Sequence, residues 1–301
     1  MLPSFITTLL FAMSAVTAAR STRMLGSLQA NFWRLIVATS FLALWAHSFG
    51  QGLTGPGLPI FLVSGFIGFG VGDLALYFAY PRLGARLTIL LAQCLAAPIG
   101  AAIEWAWLGT TLSLSQIFWI SVILGGVYLA ISPVPIEAKS LKTVLVGTAC
   151  GILAALGQAG GAVLSRKAFE ITKAAGQSLD GMTAAYQRIL AGLVIGSLVY
   201  LVHWIRENRI KKTMPAMAKI PLRRVAPWVL ANGLSGPALG VGCYQWALAT
   251  TPAGIVLPIV ATTPLAVIPL AMVLDGEKPS LRSLLGGLLA VIGAIALTFL
   301  V

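Results

Sequence analysis

Asp73 is the first acidic residue of the chain, and it follows two glycines inside the apolar run "PIFLVSGFIGFGVGDLALYFAY". Three kinds of behaviour call for residues of this type at this spacing. A glycine-rich loop can cradle phosphate with its backbone amides, if a strand precedes it and a helix N-terminus follows. A buried aspartate can hydrolyse a peptide bond, if a second carboxylate shares its proton. Glycines along a helix can also let a neighbouring helix approach closely, with no chemistry at all.

Context separates the three. "GFGVGD" lies well inside an apolar span with no strand before it, so the phosphate reading fails. Gly70-Val71-Gly72-Asp73 and the later Pro237-Ala238-Leu239 resemble the signatures of intramembrane aspartyl proteases. In that class the partner acid lies in the preceding helix, and no acid precedes Asp73. Asp180 and Asp275 fall at loop edges. The second half of the chain repeats the glycines as Gly240 and Gly242, with Cys243 in place of the acid. The repeated feature is therefore helix packing, and Asp73 is an addition to it. An acid within a membrane span costs on the order of 3 kcal/mol on insertion scales and marks a pathway or proton site. Asp73 is thus expected to bind a cationic group or carry a coupling proton at a central cavity. The structural alternative is an ion pair with Arg82, Arg86 or Arg34.

The elements that must position these residues follow from composition. Of 301 residues, 58% are hydrophobic and 9% charged, with a mean hydropathy of +0.93. A soluble domain carries about a quarter charged residues, so the solvent here is mostly lipid and the chain is an all-α, polytopic membrane protein. The net charge of +12 then points to lipid headgroups and orientation rather than nucleic acid, since no basic patch is interleaved with aromatics. Cys94, Cys150 and Cys243 stand alone in apolar segments, so neither a disulfide nor a metal site is expected, and no cofactor is implied. The N-terminal "MLPSFITTLLFAMSAVTAAR" lacks a basic start and is read as a retained helix rather than a leader.

At about 20 apolar residues per span, ten spans are expected, near 3–19, 28–49, 58–80, 85–107, 114–132, 142–164, 182–204, 225–249, 253–274 and 281–301. "FWRLIVA" (32–38) is echoed by "YQRILAG" (186–192), and "GVGDLALYFA" (70–79) by "GVGCYQWALA" (240–249). The chain thus divides into two five-helix repeats, 1–137 and 138–301. An odd number of spans per half inverts the second half relative to the first, an arrangement that places a substrate site between the halves.

The repeat, the arginines at the start of the second helix of each half, and "ATTPAGIVLPIVATTPLAVIPLAMVLDGEKPSLRSLLGGLLAVIGAIAL" with Gly276-Glu277-Lys278 at its turn resemble the drug/metabolite transporter superfamily, in its ten-helix EamA-type branch. The first half departs from the pattern, with Thr110-Thr111 where the second has Glu277-Lys278. The resemblance implies a secondary transporter in which helices 3, 4, 8 and 9 surround the cavity. On that basis Tyr77, Gln93, Tyr244, Gln245 and Trp246 become candidates for its lining, beside Asp73. Gln158 and Asn232 are further polar residues within spans. Arg34 and Arg188 occupy matched positions that the inverted repeat sends towards opposite faces. Either could snorkel, or attract a carboxylate. Glu104, beside Trp105 and Trp107, is expected to snorkel at the interface. Pro98, Pro258, Pro264 and Pro269 could kink their helices for alternating access.

Fifteen of the twenty Lys and Arg residues fall in odd-numbered loops or within two residues of them, which would put those loops in the cytoplasm and both termini outside. The resembled family is more often drawn with both termini inside. The functional expectation is a carrier rather than an enzyme. It would export small polar metabolites, such as amino acids, across a bacterial-type cytoplasmic (inner) membrane, by proton coupling or exchange, with a homodimer as a possible assembly. The alternatives are a flippase for a lipid-linked intermediate and the intramembrane protease.

Overall fold

The computed structural model describes residues 1–130, 140–211, 222–275 and 280–300, excepting the side chains of 85–86, 207–211, 222 and 271–275. The expected boundary between the halves at 137–138, the Gly276-Glu277-Lys278 turn and residues 212–221 of the basic 205–224 loop lie outside the described residues, as does the side chain of Arg86.

Among the described residues the chain is wholly helical. The N-terminal part comprises α1 (Leu2–Leu25), α2 (Ser27–Ser48), α3 (Leu58–Gly65), the π-helical segment Phe66–Gly72, α4 (Asp73–Leu108) and α5 (Leu114–Ala130). The C-terminal part comprises α6 (Leu141–Ala174), α7 (Gly181–Lys211), α8 (Leu222–Gly233), the π-helical segment Leu234–Ala238, α9 (Leu239–Thr250), α10 (Ala253–Val260), α11 (Thr263–Asp275) and α12 (Leu281–Thr298).

Seven stretches among the described residues are long and apolar enough to cross a membrane: Leu2–Leu25, Leu58–Gly84, Leu87–Leu108, Leu141–Ala174, Gly181–Arg206, Ala253–Leu270 and Leu281–Thr298. The other three expected spans are also helical but differ in character. The helix α2 is diluted by Gln29, Asn31, Arg34 and His47, and α5 has only 17 residues. The stretch 225–249 is interrupted by its π-helical segment. The protein is a multi-pass membrane protein.

Local chemistry explains the boundaries. Ser140 caps α6 by accepting from the Thr143 amide at 3.3 Å, and Ser280 caps α12 through the Ser283 amide at 3.1 Å. Asp180 accepts from the amides of Met182 and Thr183, both at 3.0 Å, at the start of α7. Each cap satisfies amides that have no partner within the helix. Gly26, at φ 79° and ψ 163°, separates α1 from α2, and Gly84, at φ 77° and ψ 166°, breaks α4 into two arms. Both are left-handed conformations that a residue with a Cβ rarely adopts.

Helix approach rests on glycine. The stretch around Gly72 crosses α6 at Gly157, where an added Cβ would lie 2.6 Å from the Gly72 Cα. The glycines before Asp73 are thus a packing surface. Likewise α5 crosses α12 at Gly126 and Gly286, where a Cβ on Gly126 would meet the Gly286 carbonyl oxygen at 2.7 Å. Without a hydrophobic drive between helices in lipid, such close backbone contact supplies the packing energy. At the centre, α1 packs against α8, α9, α10 and α11. It does so through buried small residues including Ala12, Ala15 and Ala18, with Thr8 donating to the Ile259 carbonyl at 3.2 Å.

Glu104 departs from its expected interfacial position. It is 1% exposed, pairs with Arg166 at 3.2 Å, and accepts from the Gly254 amide at 2.9 Å. Arg166 also donates to the Leu248 carbonyl at 3.0 Å. The neighbouring tryptophans are exposed, so they take the boundary role while Glu104 turns inward to the free amide at the start of α10.

Two contrasts test this packing. Gly126→Ala should lower stability by about 1–3 kcal/mol through overpacking. Gly125→Ala, where nothing lies within 4 Å of the added Cβ, should leave thermal unfolding in detergent unchanged or slightly raised. Glu104→Gln should cost about 3–5 kcal/mol by leaving Arg166 without its counter-charge, read as a lowered midpoint that Glu104→Asp lowers less.

Candidate functional site

A cavity of about 120 Å³ lies between helices of the N-terminal and C-terminal parts. Its walls come from α1, α2, the first π-helical segment, α4, α6, α7, the second π-helical segment, α9 and α11. The helices expected to surround it contribute, and α1, α2, α6 and α7 do so as well, because α1 offers small residues that leave room beside them.

One wall is built around a buried ion pair. Asp73 begins α4 immediately after the first π-helical segment, and its Oδ2 accepts from Nη2 of Arg34 on α2. The Arg34 Nε donates to Asn31 Oδ1 at 2.9 Å, and its guanidinium carbon stands 4.6 Å from the centre of the Tyr77 ring. Tyr77 is one turn beyond Asp73, so both face the same side. Its hydroxyl accepts from Asn232 Nδ2 at 3.0 Å, and Asn232 Oδ1 accepts from the Ser14 hydroxyl at 2.8 Å. A chain of polar groups therefore runs from α1 through α8 to α4 beneath the ion pair.

A second cation sits on another wall. The Arg188 Nε donates to Ser64 Oγ at 2.8 Å, and Ser64 donates onward to the Gly161 carbonyl at 2.6 Å. The guanidinium carbon stands 5.5 Å from the Phe69 ring centre. An added Cβ at Gly68 or at Gly161 would lie 2.9 Å from Nη2, so the guanidinium in its present position fits against both glycines. Gln158 Nε2 donates to Gln93 Oε1 at 2.5 Å on a third side. The Tyr244 hydroxyl is buried and has no hydrogen-bond partner among the described residues.

Of the residues singled out from sequence, Arg34, Asp73, Tyr77, Gln93, Arg188 and Tyr244 line this one cavity. Gln245 and Trp246 do not. Gln245 is fully buried elsewhere, neither side-chain amide atom having a hydrogen-bond partner among the described residues, and Trp246 is 53% exposed on the outer surface. Consecutive residues on a helix point about 100° apart, so Tyr244, Gln245 and Trp246 cannot share a face. The two arginines, expected towards opposite faces, converge instead, because long side chains from different helices can reach one centre. Asp73 takes Arg34 as its partner among the three arginines considered, and it faces the cavity while doing so.

Ser14, Phe69, Tyr80 and Thr263 also line the cavity and were not singled out. A signal existed for Ser14. Ser4, Thr7, Ser14, Thr17 and Ser21 are all buried, and their spacing marks one polar stripe along α1. Among the described residues Asp73 is the one carboxylate in the lining, and no His, Cys, Asp and Glu residues cluster in a way that could hold a metal ion.

Comparison with known proteins follows the same lines. No curated protein matches the chain. One crystal structure of a protein superposes with a TM-score of 0.74, covering 99% of this chain and 96% of its own, at 17% identity, a likeness of fold alone. The model of the EamA-like transporter family matches residues 1–132 and 145–299. With nearly its whole length matched, the chain belongs to the EamA-like transporter family.

Proposed function

We propose that the protein is a secondary carrier that moves small polar metabolites, amino acids or related compounds among them, across a cytoplasmic-type membrane. The observation that carries this reading is the central cavity with its ion pair, second arginine and unpartnered tyrosine hydroxyl, enclosed by helices from both parts of the chain. Polar and charged groups deep within membrane helices mark substrate or ion pathways, because their burial is otherwise unfavourable.

The chain is read as ten rods in two inverted halves of five. The third rod of each half carries a π-helical segment, Phe66–Gly72 and Leu234–Ala238, near the repeated "GVGD" and "GVGC". Pi-helical turns recur at functional sites because they expose backbone groups and re-aim side chains. Proline inside α4, α10 and α11 supports bending as the halves rock about the cavity, opening it to each side in turn. Energy would come from a proton gradient or from exchange. Asp73 is the group through which a proton would act, since protonation breaks its pair with Arg34 and frees the two helices to separate.

Counterflow of labelled amino acids into proteoliposomes should proceed without nucleotide, and a pH gradient should raise accumulation. No movement of any solute in the panel would overturn the carrier reading. Asp73→Asn should abolish the response to the pH gradient and slow transport by at least about tenfold, the equivalent of 1.4 kcal/mol. Normal transport with unchanged pH dependence would reduce Asp73 to a structural ion pair.

A further inference from the structure

The two arginines of the cavity are not equivalent. Arg34 has the Asp73 carboxylate as its partner, together with Asn31. Arg188 has no carboxylate within 4 Å among the described residues, although it is 4% exposed. Its Nε is held by the Ser64 hydroxyl, its plane is backed by Phe69, and its Nη2 sits in the notch left by Gly68 and Gly161. Ser64, Phe69 and the two glycines fix the group without neutralising it.

The charge of the lining follows. Arg34, Arg188 and Asp73 are its ionisable partners of fixed sign, and together they leave one positive charge uncompensated. Isolated charge in a low-dielectric interior is strongly unfavourable unless a counter-charge arrives. Tyr244, 4% exposed, lines the same cavity, and its buried hydroxyl has no hydrogen-bond partner among the described residues, leaving a second donor without an acceptor. Arg188 is within electrostatic reach of both Tyr244 and Asp73, the latter already paired with Arg34. A planar guanidinium matches a carboxylate with two parallel hydrogen bonds, and a hydroxyl can supply a third.

We infer that Arg188, with Tyr244 as a second donor, is the anchor for the carboxylate of the transported solute. The site therefore selects small organic acids, or amino acids held by their carboxylate end, over cations and over neutral amides of the same shape. Phe11, Phe69 and Tyr80 supply the apolar remainder of the wall, which suits a short apolar or aromatic body behind the carboxylate. This rests on the carrier reading for its physiological meaning, and the binding test below is independent of transport.

The test uses matched pairs on the full chain: benzoate against benzamide, and phenylalanine against phenylalaninamide. Thermal stabilisation in detergent reads binding, and counterflow in proteoliposomes reads movement. The carboxylate member of at least one pair should stabilise the protein and its amide should not. Arg188→Gln should weaken that binding at least tenfold, with Arg188→Lys intermediate because it keeps charge and loses the fork. Tyr244→Phe, which removes only the hydroxyl, should weaken it by about tenfold, as expected for a hydrogen bond to a charged group. The midpoint of the ligand-free Tyr244→Phe variant should be unchanged.

Equal response to acid and amide would overturn the proposal, and so would carboxylate binding that Arg188→Gln and Tyr244→Phe each leave within twofold. No binding by any of the four probes would overturn it too. Carboxylate binding that depends on Arg188 but never leads to counterflow would leave the anion site standing and remove the carrier reading instead.

Discussion

The interior of this protein holds charges that lipid cannot solvate, and its helices are tied together where those charges are met. A guanidinium does not lose its charge at any accessible pH, so each buried arginine needs a counter-charge, a ring of hydrogen-bond acceptors, or a site that a ligand completes. Arg34 has Asp73, and Arg166 has Glu104. These two pairs join α2 to α4 and α6 to α4, so the long helix α4 is tied at its start and near its end to different neighbours. The Glu104 pair also reaches the Gly254 amide and the Leu248 carbonyl, linking α4 and α6 to the junction between α9 and α10. The architecture is held by electrostatics at a few points and by glycine contact along the remaining lengths.

Much of this was readable from sequence, and the limits are physical. Composition alone establishes a membrane protein, since charged residues are too few to cover a soluble surface. The glycines before Asp73 were legible as packing because the second half repeats them without the acid, and the backbone approach at Gly72 and Gly157 has that character. Family membership was legible in the echoed segments. Span counting was less secure, because a short helix such as α5 and a broken one such as α8 and α9 do not present a continuous apolar window.

The site was legible by residue type and less so by direction. Charged and aromatic residues inside spans were sound candidates, and Arg34, Asp73, Tyr77, Gln93, Arg188 and Tyr244 share one cavity. Proximity in sequence misled at Tyr244-Gln245-Trp246, where the helical turn sends neighbours to different surroundings. Glu104 was drawn towards the interface by its adjacent tryptophans, but the deciding partner, Arg166, is 62 residues away in the chain. Long-range pairing of this kind leaves no local trace. Neither π-helical segment had a signature beyond glycine and proline content, since their hydrogen-bond shift depends on what packs beside them.

The turns at Gly26 and Gly84 carry a consequence for how the molecule can move. The link at Gly26 is a single residue between two helices, and the break at Gly84 has nearly the same backbone angles. A one-residue connection has no slack, so α1 cannot slide along its axis without carrying the start of α2 with it. The same holds for the two arms of α4. The segment between α2 and α3, residues 49–57, is long enough to absorb displacement. Motion in the N-terminal part is therefore confined to stiff, paired units that pivot about the joints at 49–57 and 109–113, which reduces the number of independent coordinates along which the cavity can open.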